Sequence, residues 1–151
     1  MIRRQITSAF KSKFIRGQSL FEVVFAVGVM AVILVGIVAL ATKSVRNASL
    51  SEANAVATKY TQEAMEWIRG QRDASWTNLS SRTGASPICL GSSPLAWGGS
   101  CNITGNTFFS RRVYLTLVSS TAIDARVEVY WSDSAGTHIV KSVTRFTDWN
   151  K

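Results

Sequence analysis

The chain contains one histidine, two cysteines and two prolines in 151 residues, and this scarcity limits the chemistry open to it. Two thiols and one imidazole make a poor metal site, because a structural zinc ion takes four such ligands. His138 follows a turn at the start of a candidate strand, which favours a surface position over general-base catalysis. No glycine-rich phosphate loop is present, since the clustered glycines lie in irregular sequence. The sequence therefore predicts no enzyme, no cofactor and no small-molecule substrate.

Proline is absent before Pro87 and acidic residues are absent before Glu22. Without proline, nothing in the first half of the chain forces a helix to break. From Val23 to Ala41, nineteen consecutive residues carry no charge and no side-chain hydrogen-bonding group. About 17 to 25 such residues span a hydrocarbon core as a helix. We therefore expect a transmembrane helix. The Glu22 carboxylate at its edge is costly to insert unpaired, so we expect it to have a partner and a functional role.

The formal charge of +8 is concentrated at the N-terminus. Five cations and no acid precede the apolar run, namely Arg3, Arg4, Lys11, Lys13 and Arg16. The remainder carries twelve Lys and Arg against nine Asp and Glu, a net of +3. A positive flank before an apolar segment stays on the cytoplasmic side, so the downstream part is expected to be extracytoplasmic. An alternative is an ordinary signal peptide cut after Ala41, which would release a soluble body.

The stretch Gly17-Gln18-Ser19-Leu20-Phe21-Glu22 resembles the processing motif of type IV prepilins and pseudopilins. The resemblance implies a cytoplasmic leader over residues 1–17, removed by prepilin peptidase after Gly17. It implies N-methylation of the new N-terminus at Gln18, where the family most often has Phe. It also makes Glu22 the acid at the fifth mature position.

Residue spacing is consistent with that resemblance. After cleavage the amino group of Gln18 would be a cation at the edge of an apolar environment, and Glu22 lies one helical turn away. Unlike charges in a low dielectric attract strongly and are costly to leave unpaired. Glu22 of one subunit could neutralise the Gln18 amine of its neighbour in a filament. The alternatives are that Glu22 reaches the lipid headgroups or pairs with its own amine.

A second helical pattern continues the apolar run, so that a long helix is expected over residues 18–72. Residues 18–41 form its transmembrane and assembly segment, and residues 42–72 are amphipathic. The apolar stripe of the second part comprises Val45, Ala53, Val56, Tyr60, Ala64, Trp67 and Ile68. Its later members, Tyr60, Ala64, Trp67 and Ile68, are expected to pack against a sheet.

Residues 73–105 are rich in Ser, Gly, Thr, Pro and Asn and are expected to form a long loop region with a short extended piece near Ile88. Loops of this length are usually functional surface. Cys89 and Cys101 lie in it, and in an oxidising compartment such a pair predicts a disulfide. Trp76 and Trp97 are expected to anchor the region to the core.

Residues 106–151 alternate between apolar and polar side chains and predict three strands in antiparallel hairpins. The expected fold class is α+β, with a long N-terminal helix on an antiparallel meander of about three to four strands; the resemblance makes it type IV pilin-like. Arg111 and Arg112 form the densest basic pair outside the leader. Adjacent strand residues point to opposite faces, so the pair does not form one basic patch and gives little support to the alternative of DNA contact.

The leading functional hypothesis is a minor type IV pilin or pseudopilin, a structural subunit of a surface filament or of a secretion or competence pseudopilus. Its expected partners are prepilin peptidase, other pilin subunits and the cytoplasmic membrane. It would be a single-pass membrane protein before assembly and part of a cell-surface filament or periplasmic pseudopilus afterwards. The second hypothesis is a signal-anchored extracytoplasmic binding module, and the third is a secreted enzyme released at Ala41.

Overall fold

The computed structural model describes residues 18–149, with side chains from Leu20 onward. Helix α1 spans Gln18–Ala74 and helix α2 spans Trp76–Ser80. The strands are β1 (Ile88–Cys89), β2 (Asn102–Ile103), β3 (Asn106–Ser119), β4 (Ala122–Asp133) and β5 (Gly136–Thr147). The chain divides between Asn47 and Ala48 into two compact units, so α1 contributes residues to both.

The first unit consists, in its described part, of α1 up to Asn47. The helix is continuous because no proline removes a backbone donor, and Gly28 and Gly36 each weaken it by only about 1 kcal/mol relative to alanine. Every side chain from Leu20 to Asn47 is exposed. Val45, the first residue of the predicted amphipathic stripe, is among these exposed residues.

The second unit is an antiparallel sheet covered by the rest of α1. The strand order is β1-β3-β4-β5, and β2 also pairs with β3. Tight turns join the three long strands as consecutive hairpins, and Gly136 supplies a positive φ of 128° at the second turn. The α+β class with a long N-terminal helix on an antiparallel sheet is therefore confirmed. The sheet has two more short strands than the three that alternation predicts.

The core follows the period of two in the strands and the stripe in the helix. The larger buried cluster joins helix, loop and sheet residues: Ala64, Met65, Ile68, Leu79, Leu90, Val113, Leu115, Ile123, Ala125, Val127 and Phe146. A smaller one contains Ala57, Ile103, Phe109, Val129 and Trp131. Trp76 and Trp97 are partly buried against the larger cluster. Leu117, which continues the inward alternation of β3, is half-exposed where the strand register shifts.

A buried cation lies among these apolar side chains. Arg111 is 1% exposed, and its neighbour Arg112 is exposed, so the prediction that the pair points to opposite faces is confirmed. Arg111 Nε donates to the Leu90 carbonyl at 2.7 Å. Its Nη1 donates to the Tyr60 carbonyl at 2.9 Å and to Glu63 Oε2 at 3.1 Å. One guanidinium thus bonds the sheet to the helix and to the loop region.

Replacing Arg111 with methionine is expected to lower the free energy of unfolding by about 2 to 3 kcal/mol, because the buried Leu90 carbonyl loses its donor and Glu63 loses its cation. The matched control is Arg112→Met, which removes an exposed guanidinium and is expected to cost about 1 kcal/mol or less. Urea denaturation of the full chain in detergent measures both values. Equal losses for the two variants would contradict the structural role given to Arg111.

Candidate functional site

The apolar segment of α1, residues 20–41, has no cover from the part of the chain that the structure describes. Its most hydrophobic 18-residue window has a mean hydropathy of 3.1 and is 0% buried. Large side chains on every side of the helix are exposed, since neighbours such as Val23, Val24 and Phe25 point in different directions. A helix that is apolar all round belongs in lipid or among other helices. This is the one described helix that is long and apolar enough to span a membrane.

The predicted processing residues lie at the start of this helix. Gly17 lies outside the described residues. Gln18 is the first residue of α1, and its side chain is not described. Glu22 is exposed and forms no ion pair with any side chain between Leu20 and Trp149. The backbone therefore places Glu22 one turn from Gln18, and the pairing of the carboxylate with an amine stays a prediction.

The two glycines of the apolar segment are not required by contacts within the described chain. A Cβ built on Gly28 or on Gly36 meets no described atom within 4 Å. Both residues lie on the exposed surface of the helix. Small residues allow the backbones of two helices to approach closely. Any close approach at these two positions would have to come from outside the described residues.

The disulfide-bonded region, which we define as residues 88–104, is attached along one edge of β3. Cys89 and Cys101 form the predicted disulfide. β1 pairs with β3 through Ile88 and Val113, and β2 pairs with it through Asn102 and Ser110. The region is therefore hydrogen-bonded to β3 through its backbone and is also closed into a loop by its disulfide.

Backbone hydrogen bonds give this region a fixed path. Gly91 N–H donates to the Ser100 carbonyl at 3.0 Å, and Thr104 N–H donates to the Gly91 carbonyl at 2.7 Å. A Cβ on Gly91 would collide with the backbone oxygens of Ser100 and Asn102. Glycine is needed here because the two halves of the region approach each other closely. Pro94 is exposed and lies in the loop that the hydrogen bond between Gly91 and Ser100 closes.

Reduction of the disulfide is expected to lower the melting temperature of the full chain. Closing a loop with a sequence separation of 12 stabilises a fold by on the order of 3 kcal/mol in the chain-entropy model. Thermal unfolding with and without a reductant measures the change. The matched control is the Cys89→Ala, Cys101→Ala double variant, whose melting temperature should not respond to reductant. A melting temperature of the parent chain that does not respond either would refute this stabilisation.

The sheet face that points away from α1 carries charges and aromatic rings in alternation. The Arg112 guanidinium lies 4.7 Å from the centroid of the Tyr130 ring, and that of Arg126 lies 4.2 Å from the Tyr114 ring. A cavity of about 710 Å³ opens on this face, lined by Thr83, Gly84, Ala85, Tyr114, Thr116, Leu117, Asp124, Arg126 and Val143. Its polar and aromatic lining could accept a small polar group. Two of the basic residues on this face already contact tyrosine rings of the chain itself.

Two aspartates on the sheet have lowered pKa values. A two-pronged contact from Arg145, at 2.6 and 2.8 Å, lowers the pKa of Asp124, chiefly through the side-chain hydrogen bond. The Ala135 N–H, which donates to Asp133 at 2.7 Å, is the main cause of the lowered pKa of Asp133, and His138 adds to it. His138 stacks on Trp131 at 5.2 Å. The His138 Nε2 atom lies 3.1 Å from Asp133 Oδ1, but the geometry is not that of a hydrogen bond. The contact is an ion pair only when the imidazole is protonated, because the neutral ring carries no charge.

Acidification is expected to destabilise the fold partly through Asp124. A carboxylate whose pKa is lower in the folded state stabilises the fold above its unfolded pKa, and that contribution is lost as the pH falls below about 4. Asp124→Asn should therefore flatten the fall in melting temperature between about pH 5 and pH 2. Arg145→Met should flatten it to a similar extent, because it removes the main cause of the shift. Unchanged slopes in both variants would contradict the assignment.

Sequence reasoning missed the role of Arg111 as a tie between helix, loop and sheet, although a signal was present. The alternation of β3 places Arg111 between Phe109 and Val113 on the inward face. A cation on an inward face must find acceptors there. Among residues 18–149, no three His, Cys, Asp or Glu side chains come together as a metal site.

Comparisons with known protein families, with curated proteins and with solved structures found no significant match.

Proposed function

We propose that this chain is a minor type IV pilin or pseudopilin, a structural subunit that joins a filament through the apolar segment of α1. The observation that carries the proposal is the exposure of that segment on all sides. The amphipathic part of α1, from Ala48, is in contrast buried on one side against a sheet. A long helix with these two parts and an antiparallel sheet is compatible with a pilin-like fold.

The apolar segment would have two environments. Before assembly it lies in the membrane, and after assembly it packs against the helices of neighbouring subunits. Lipid tails are as apolar as the helix, so burial of apolar area alone does not favour the filament over the membrane. Additional interactions must supply the preference. Close approach at Gly28 and Gly36, and a charge pair that is unavailable in lipid, are the candidates on this segment.

Glu22 is the proposed source of the charge pair. Prepilin peptidase would remove the leader after Gly17 and methylate the amino group of Gln18. The free N-terminus of one subunit then meets Glu22 of the next, which gives each carboxylate a partner that the described side chains of its own chain do not provide. This pairing would also fix the register between subunits. The remaining partners are other pilin subunits and the cytoplasmic membrane, with the sheet on the extracytoplasmic side.

A second candidate is a signal-anchored extracytoplasmic binding module. The polar and aromatic cavity on the outer sheet face favours it, because a purely structural subunit does not require such a cavity. In this alternative the leader is retained and the apolar segment stays in the bilayer.

The N-terminal mass of the protein isolated from its own host distinguishes these hypotheses. A chain that begins at Gln18, with or without a methyl group, is the result expected for a pilin. A chain that begins at Met1 would support the anchored module instead. A chain that begins at Thr42 would contradict both and point to a secreted protein.

Replacing Glu22 with valine is expected to leave processing intact and to reduce incorporation into filaments by at least tenfold, because the neighbour's amine loses its counter-charge. The matched control is Glu52→Val, which removes an exposed carboxylate from the same helix within the second unit. Immunoblots of sheared filaments and of membranes measure both steps separately. Normal incorporation of the Glu22 variant would show that the charge pairing is wrong.

A further inference from the structure

Strand β5 forms an open edge of the sheet. The opposite side of the sheet, at β3, is paired with β1 and β2 and accepts a further backbone hydrogen bond from Gly84. Among the strands that the structure describes, only β4 pairs with β5. One side of the backbone of Gly136–Thr147 is thus left without a strand partner. Such an edge is a template on which another extended chain can form backbone hydrogen bonds.

The side chains on the outer face of β5 alternate between apolar and basic residues. We define the β5 row as Ile139, Lys141, Val143 and Arg145, all of which are exposed. Ile139 is 58% exposed and Val143 is 60% exposed. β-branched residues are favoured in strands mainly because they pack against cross-strand neighbours. The β5 row has such neighbours on the β4 side only.

The charge of the β5 row indicates what kind of strand fits beside it. Arg145 is already bound by Asp124 of β4. Lys141 lies opposite Glu128, but Glu128 instead contacts Arg126 at 3.5 Å. Lys141 itself forms no ion pair with residues 20–149. It is therefore the cation of the β5 row that a new strand could pair with.

A second copy of this chain fits the edge poorly. If two β5 edges paired side by side, the Lys141 and Arg145 side chains of both copies would lie in one row. β5 contains no acidic residue, so no register of two β5 edges gives Lys141 an acidic partner, and a register that places two of the cations directly opposite each other is destabilised. An acidic residue between two apolar residues, at a spacing of two, matches the β5 row instead. It would lie opposite Lys141 while its apolar neighbours lie opposite Ile139 and Val143.

We propose that the β5 edge binds an extended segment of another protein as an added strand, with an acidic side chain at Lys141 flanked by apolar side chains at Ile139 and Val143. Main-chain hydrogen bonds to β5 give the affinity, and the β5 row gives the sequence preference. This inference depends on the second unit alone and does not rest on the filament proposal. Loss of filament assembly in the Glu22 variant would leave it unaffected.

The test uses the full chain in detergent micelles, oligothymidylate as a polyanion, and three synthetic peptides. The first is Thr-Val-Thr-Glu-Thr-Val-Thr, the second has Lys in place of Glu, and the third is the Glu peptide with every backbone nitrogen methylated, so that neither edge can donate a backbone hydrogen bond. Hydrogen exchange of the backbone amides of residues 136–147 and fluorescence anisotropy are measured. The Glu peptide is expected to slow exchange in β5 and to bind roughly fivefold more tightly than the Lys peptide, as one favourable cross-strand pair implies. The methylated peptide is expected not to bind.

Variants show whether the β5 row is responsible. Lys141→Gln should abolish the preference for the Glu peptide, and Lys141→Glu should reverse it. Val143→Lys should weaken binding of the Glu peptide, while Val118→Lys, at a similarly exposed valine of β3, should not. These side chains are exposed, so the melting temperature should change little and serves as a check on folding.

Three results would overturn the proposal. Equal binding of the Glu and Lys peptides would remove the role of Lys141. Undiminished binding of the methylated peptide would exclude strand addition, because that peptide cannot form the full set of backbone hydrogen bonds. Protection of β5 by oligothymidylate but by none of the peptides would show that the edge binds a polyanion rather than an extended protein segment.

Discussion

Arg111 donates hydrogen bonds from one buried guanidinium to the helix, to the loop region and to a helix carboxylate. A buried cation is costly unless its donors are hydrogen-bonded, so moving any of these acceptors away from the guanidinium would destabilise the fold. The backbone N–H of Arg111 also donates to the Cys101 carbonyl, and this hydrogen bond connects the disulfide-bonded region to β3. The disulfide and Arg111 therefore restrain the same region in different ways. Apolar packing in the clusters that contain Ile68 and Phe109 joins the same helix to the same sheet.

The two units use apolar side chains differently, although one helix belongs to both. From Ala48 onward the stripe of α1 is buried by the chain itself, and the opposite side of the helix is polar. Before Asn47 the apolar side chains point in all directions and are exposed. A single helix thus contributes one part to a core and leaves another part, long and apolar enough to span a membrane, without cover from the described chain.

Sequence patterns were informative where local periodicity reflects burial. The three long strands and the stripe containing Ile68 follow directly from alternation and from helical spacing. The two-residue strands β1 and β2 are too short for a period, although β1 coincides with the extended piece expected near Ile88. The open edge at β5 depends on the strand order, which no local pattern encodes. The roles of Gln18 and Glu22 were inferred from a motif, and the structure contributes only their spacing and the exposure of Glu22.

Phe146 is a core residue that is synthesised late. Phe146 lies in the last strand, yet it packs in the same cluster as Ile68 of α1. Synthesis proceeds from the N-terminus, so the helix stripe emerges long before the residue that completes its cover. A chain that stops before β5 would present both an uncovered stripe and the unpaired edge of β4, and such surfaces promote aggregation. A newly made chain therefore becomes resistant to aggregation and proteolysis only after β5 has been synthesised and has paired with β4.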